Sequence, residues 1–314
     1  MNWIWWIVLA VPALYVIFVL GPAVASYFSV FSRQKTVPLE ERELSGTYYE
    51  PFAAQIRQGA AWMNQLPAEQ VTVQSHDGIT LAAEYCPGTG KKTVIFCHGY
   101  RANARNNFFA QAKDLLAEGY SLLLIHERGH GRSGGRHSTM GLLESRDVQT
   151  WIRWVTDRTP SHGIVLYGTS MGSTAVAYAS SDIREPRVKA MVLDCGYTSP
   201  YEMMVSQCVK RHVPWQMVMP VVVAMMKLLH RCDIRRTTTS SLSRTAIPAL
   251  FLYGTADDTV TPEQMQRAYD SCASEKQFLR TEGVGHTLAY VGSNAVRQQV
   301  LAFLNQYEQE QGGI

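Results

Sequence analysis

Charge is what the start of this sequence lacks: no Asp, Glu, Lys or Arg stands ahead of Arg33. The run from residue 3 to residue 20 is apolar and long enough to cross a bilayer. No Lys or Arg precedes it and it outlasts an h-region, so an anchor is favoured over a cleaved signal, although Ala23-Val24-Ala25 resembles a cleavage site. A basic stripe with interleaved aromatics is also missing, and the formal net charge is only +3, which excludes nucleic acid as a partner. Cysteine is sparse: Cys86, Cys97, Cys195, Cys208, Cys232 and Cys272 are scattered and form no C-x-x-C pair. Buried free thiols in a reducing compartment are expected. There is no internal repeat and no low-complexity tract. Across 314 positions, 46% of residues are hydrophobic and 18% charged. That excludes disorder over the whole chain and suits a sizeable core in one large domain or two small ones.

The apolar start carries Trp3, Trp5 and Trp6, which suit an interfacial aromatic belt, and Pro12 is tolerable inside a membrane helix. A single transmembrane helix is predicted over 3–31. Arg33, Lys35 and Arg42 follow it, so the positive-inside tendency predicts a single-pass membrane protein with its C-terminal domain in the cytoplasm. Residues 32–69 read as a juxtamembrane linker and helix. The linker holds Pro38 and Glu40-Glu41-Arg42-Glu43; Phe52, Ile56, Ala60 and Met63 then recur at near-helical spacing up to Pro67. That helix is expected to pack on the domain rather than lie on the membrane.

From residue 70 to 310 a domain is predicted. Alternating residues from Val71 turn at His76-Asp77-Gly78 into Ile79–Tyr85, a hairpin pattern. Buried strands are read at Thr93–Cys97 and Gly163–Tyr167, and further strands at Tyr120–Ile125, Val188–Asp194, Ala249–Tyr253 and Gln277–Thr281. Helices are predicted at Asn106–Glu118 and Leu142–Thr156 and after residue 172. Such alternation argues an α/β protein with a mostly parallel sheet covered on both faces, and with its chemistry at the strands' C-terminal edge.

The chain's organising stretch is Gly168-Thr169-Ser170-Met171-Gly172, between an apolar strand and a helix. That is the context of a nucleophile elbow, whose flanking residues must lack bulk. A serine nucleophile needs a base, and the base needs an orienting carboxylate. Asp257 lies just past the strand ending at Tyr253, with Asp258 as the alternative. His286 follows the last strand on a loop bearing Gly283 and Gly285. The order Ser170, Asp257, His286 matches the order such a sheet requires. Oxyanion donors are expected from the Met171 N–H and from the Tyr100 N–H in the loop His98-Gly99-Tyr100. His98 is expected to bond loop backbone.

At these residues the chain resembles the α/β-hydrolase superfamily, and most nearly bacterial membrane-anchored or secreted hydrolases of the serine aminopeptidase-like and Bem46-like groups. The matching stretches are His98-Gly99-Tyr100, Arg128–Gly135, Gly168–Gly172, Asp194–Ser199, Gly254–Asp257 and Gly285-His286, within roughly residues 70–305. His126 stands where these proteins usually carry Asp, and Thr261 replaces a common proline. The resemblance implies the α/β-hydrolase fold and hydrolysis of an ester, thioester or amide, with no cofactor and no metal. It also implies a small helical cap, here at about 199–246, where Met203, Met204, Met217, Met219, Met225 and Met226 fall and where Pro214 and Pro220 are expected to break the helices. A small acyl substrate and, through the N-terminal helix, the membrane are the expected partners; no obligate protein partner is inferred. A serine peptidase is the alternative. A third reading comes from His126-Glu127-Arg128-Gly129-His130, which matches the H-E-x-x-H zinc signature. That chemistry needs one helical face, and the glycines here argue against a helix.

Overall fold

The computed structural model describes residues 10, 13–33, 35–36, 41, 43–159 and 162–307. Trp3, Trp5, Trp6, Pro12, Pro38, Glu40 and Arg42 lie outside the described residues.

The apolar runs become β1 (Glu69–Gln74), β2 (Thr80–Cys86), β3 (Lys92–Cys97), β4 (Ser121–His126), β5 (Gly163–Thr169), β6 (Val188–Asp194), β7 (Ala249–Gly254) and β8 (Lys276–Thr281). They form one 8-stranded sheet in the order β1-β2-β4-β3-β5-β6-β7-β8. β2 pairs antiparallel with β1, as the tight turn at Gly78 dictates, and also antiparallel with β4. Every other pair is parallel. Strands β3 to β7 read as continuous apolar runs because both their faces are covered.

Period-2 alternation splits the core in two. In β5, Ile164 and Leu166 point into one layer while Val165 and Tyr167 point into the other. Helices α2 (Ala53–Gln65), α3 (Phe109–Ala117) and α9 (Asn294–Gln306) cover the second layer. Helices α4 (Glu144–Arg158), α5 (Met171–Ala179) and α8 (Pro262–Ser271) cover the first. Ile56, Ala60 and Met63 of α2 are buried, so this helix packs on the sheet.

The helix expected at Asn106–Glu118 is broken: Ala104–Asn107 is capped by the Asn103 side chain, Phe108 leaves helical geometry, and α3 follows. Phe108 is drawn into the core, where its ring stacks on Phe96 at 4.4 Å. Between β6 and β7 rise α6 (Pro200–Lys210) and α7 (Trp215–His230). Pro214 caps α7, but Pro220 sits inside it and does not break it. A proline in the second turn removes only one intrahelical bond, and Val218, Met219, Val222 and Met226 hold the helix down on the core.

The helix Ala13–Phe31 is long and apolar enough to cross a membrane. Its first part includes a π-turn at Val16–Leu20, and its last part is α1 (Gly21–Phe31). α1 is docked: Ala23, Tyr27 and Phe31 are fully buried in the same core layer as α7. Beyond it, Arg33 donates to the Ser133 carbonyl at 2.6 Å and to the Gly131 carbonyl.

Candidate active site

β5 delivers Ser170 at its C-terminal end, and α5 begins at the next residue. Ser170 has φ 54°, the left-handed region a side chain rarely adopts. The strain is held from several sides. The Ser170 N–H donates to the Asp194 carbonyl at 2.8 Å, and its own carbonyl accepts from the Thr174 N–H at 3.0 Å. A Cβ at Gly172 would strike the carbonyls of Cys97 and His98, and one at Gly168 would strike the start of α5. Only glycine lets β5, the turn and α5 close this tightly.

His286 stands on the loop after β8 and is buried. Its Nε2 lies 2.9 Å from Ser170 Oγ and its Nδ1 lies 2.7 Å from Asp257 Oδ2. Asp257 follows β7 and is itself fixed: its Oδ1 accepts the N–H groups of Thr259 at 2.7 Å and Val260 at 3.0 Å. Asp258, the alternative acid, is exposed and accepts from Thr259 Oγ1. Gly254 leaves room for the carbonyls of Val284 and Gly285, which brings the histidine loop over the end of β7.

The loop after β3 lies against the serine, for a Cβ on Gly99 would be 3.4 Å from Ser170 Cβ. Its donors are apportioned. The Gly99 N–H is taken by Asn107 Oδ1 at 2.8 Å and the Arg101 N–H by His130 Nε2 at 3.1 Å. Between them the Tyr100 N–H bonds to nothing among the described residues, and the same holds for the Met171 N–H at the first position of α5. Both N–H groups expected to serve an oxyanion are therefore unspent among the described residues. His98 bonds backbone as expected: Nδ1 donates to the Gly99 carbonyl at 2.7 Å and Nε2 accepts from the Glu127 N–H at 3.1 Å. Burial, with His130 beside it, holds its pKa well below the ordinary histidine value, so it stays neutral.

The zinc reading fails on geometry. β4 ends at His126, and residues 127–130 form a turn closed by the His130 N–H on the Glu127 carbonyl at 2.9 Å. His126 Nε2 faces Glu84 at 3.5 Å, whereas His130 is spent on Arg101 and on the Arg128 carbonyl. Burial, then the neighbouring carboxyls of Glu144 and Asp147, raises the Glu127 pKa well above the usual range and keeps it neutral. Cys195, Asp257 and His286 do bring potential ligand atoms within 4.8 Å of one another. However, both imidazole nitrogens lie within hydrogen-bond distance of Asp257 and Ser170, and burial pushes the Cys195 thiol well above its ordinary pKa, which disfavours the thiolate a metal would need.

Some contacts around the site have no local signal in the sequence. Tyr48 lies over Gly285, and the Tyr49 hydroxyl is 3.3 Å from Thr287 Oγ1, so the stretch before α2 covers the histidine loop. Arg128 is buried and ties Asp77 in the β1–β2 turn, at 2.8 Å, to Asp147 on α4, at 2.6 Å. A cavity of about 350 Å³ adjoins the loop after β3; Val30, Tyr100, Met140, Met204, Met219 and Thr259 are among its walls. The expected site residues Ser170, Asp257, His286, Tyr100 and Met171 therefore come together at one sheet edge, and the cap methionines Met203, Met204 and Met219 reach the cavity beside them.

The strand order and the strand–Ser170–helix turn are those of the α/β-hydrolase fold, and the chain is similar to members of that superfamily. The family model described as the α/β hydrolase fold matches residues 92–216. The chain is 25% identical over 226 residues to the uncharacterized protein YqkD of Bacillus subtilis, covering 70% of this chain and 73% of that one. It is 24% identical over 216 residues to protein bem46 of Schizosaccharomyces pombe, covering 67% of each, and so resembles Bem46-like proteins. An esterase of Pyrococcus furiosus superposes with a TM-score of 0.63 at 19% identity, over 81% of this chain and 94% of the other. At that identity the likeness speaks to the fold.

Proposed function

We propose that the protein is a serine hydrolase that cleaves a carboxylic ester through an acyl-enzyme on Ser170. The observation that carries this is His286 bridging Ser170 Oγ, at 2.9 Å, and Asp257 Oδ2, at 2.7 Å, in a buried setting. With Nδ1–H donating to Asp257, Nε2 is free to accept the serine proton. Ser170 Oγ attacks the acyl carbon, His286 takes the proton, and the carbonyl electron pair moves onto oxygen between the Tyr100 and Met171 N–H groups. Collapse expels the alcohol, which receives the proton from Nε2. Water, deprotonated by His286, then releases the acid and restores the serine. No cofactor or metal is needed. The methionine-walled cavity supports an apolar acyl group over a peptide, because methionine adapts to irregular apolar shapes.

The same reading takes the N-terminal helix as a membrane anchor, with 70–310 as the catalytic domain facing the cytoplasm. Its supports are the spanning length and composition of Ala13–Phe31 and the cations Arg33 and Lys35 beyond it. A fluorophosphonate probe tests the nucleophile: the native protein should label and Ser170→Ala should not. Equal labelling of both would sink the assignment. A p-nitrophenyl ester series graded by chain length should peak above acetate, and a flat profile would count against an acyl pocket.

A further inference from the structure

α7 is apolar on two sides. Val218, Met219, Val222 and Met226 face the core, while Met217, Pro220, Ala224 and Leu228, recurring every three or four residues, face outward and are exposed. Leu228 is 82% exposed and Leu229 54%. No charged residue interrupts the helix from Trp215 to Met226. A surface helix of a water-soluble domain carries polar residues on its outer face. The outer face of α7 instead suits a lipid interface, and its ends are basic: exposed Lys210 and Arg211 precede it, and exposed Lys227 and Arg231 close it.

The position of α7 fits the same occupant. It packs beside both Val16–Leu20 and α1, so it stands level with the point where the apolar N-terminal run meets the domain. The Tyr27 hydroxyl is 2.5 Å from His230 Nε2, which joins the two helices. The outer surface of the N-terminal helix is apolar there too, with Phe18 and Phe28 exposed. The helix pair flanks the cavity that Tyr100 lines: Ser26, Ser29 and Val30 of α1 form one wall, and Val218 and Met219 of α7 another.

We propose that the outward face of α7 lies in the lipid bilayer interface beside the N-terminal helix, so that the cavity between them admits the acyl chain of a membrane-resident lipid ester. The bilayer is then both the docking partner and the source of substrate. The substrate half of this proposal rests on the serine-hydrolase reading; the docking half does not.

The test uses the full chain in vesicles of phosphatidylcholine with phosphatidylglycerol. The emission that Trp215→Phe removes reports on Trp215 at the start of α7. Lipids brominated near the headgroup should quench that emission by roughly half, and Ala224→Asp with Leu228→Asp should relieve the quenching. If aqueous iodide quenches Trp215 and brominated lipid does not, the proposal is overturned, whatever the catalytic result. The second readout is the rate on a long-chain ester held in the vesicle divided by the rate on an acetyl ester in water. The double variant should lower that ratio about tenfold, and an unchanged ratio overturns delivery from the membrane. Fluorophosphonate labelling of the same samples separates the failures: an unlabelled native protein sinks the serine reading, while the Trp215 result still decides the docking.

Discussion

The Tyr100 hydroxyl donates to the Val30 carbonyl at 2.5 Å, joining the loop beside Ser170 to the last turn of α1. Arg101 repeats the link, donating to the Ser29 carbonyl at 2.5 Å. These carbonyls belong to the last turn of a helix and lack intrahelical partners. In the proposed mechanism the Tyr100 N–H serves the oxyanion while its side chain holds α1, so the N-terminal helix and that loop share one residue.

Tyr100→Phe separates those duties. The backbone N–H and the ring remain, and one hydrogen bond worth about 1 kcal/mol is lost. Amides of α1 should exchange with deuterium roughly fivefold faster, because local opening draws on local contacts. Fluorophosphonate labelling of Ser170 should persist. Unchanged exchange in α1 would show that Tyr27 and Phe31 alone fix the helix.

Asp257→Asn keeps the shape of the acid and removes its charge. The bonds from Thr259 and Val260 to the side chain can survive, but the amide no longer favours the Nδ1–H tautomer that leaves Nε2 open to the serine. Ester turnover should fall by about 10³ to 10⁴. Asp258→Asn should change it by less than about threefold, since that side chain is exposed and bonds only locally. Comparable losses in both would overturn the choice between the two carboxylates.

The sheet and the candidate site were legible to different depths. The β5–Ser170–α5 turn is written locally, because Gly168 and Gly172 are required by contacts within a few residues and with β3. Asp257 and His286 were expected from order alone, since each stands in a loop just past a strand. Tyr48 over Gly285 was not legible, for nothing near Tyr48 in the chain says which loop it will cover. The docking of Ala23, Tyr27 and Phe31 was hidden for a related reason: an uncharged helix with apolar residues on every side shows no clear period by which a core-facing stripe differs from a lipid-facing one. Pro220 misled because a proline signals a break, whereas packing on one face of α7 holds the helix through it. Phe108 misled in the other direction, as a good helical run gave way to a ring stacking on Phe96.

Asp194, at the end of β6, offers a pH test of the buried ground behind the site. It is fully buried, and its carboxylate oxygens meet no N–H or O–H donor among the described residues, only the weakly donating Cys195 thiol beside it. Burial raises its pKa from 3.8 to about 7, with His286 pulling the other way. In the unfolded chain the group ionises near its ordinary value. Between these two values the folded protein therefore holds a proton that the unfolded chain has released. Stability falls as pH rises through that window, and above it the buried charge costs a constant amount. Asp194→Asn removes the charge and nearly keeps the shape. At pH 8 the variant should be more stable than the native chain by roughly 2–4 kcal/mol. Near pH 4, where the native carboxyl is already neutral, the difference should vanish. Urea melts of both proteins at the two pH values check this. A variant less stable at pH 8 would show that the ionised carboxylate is compensated, and that it supports His286 rather than straining the fold.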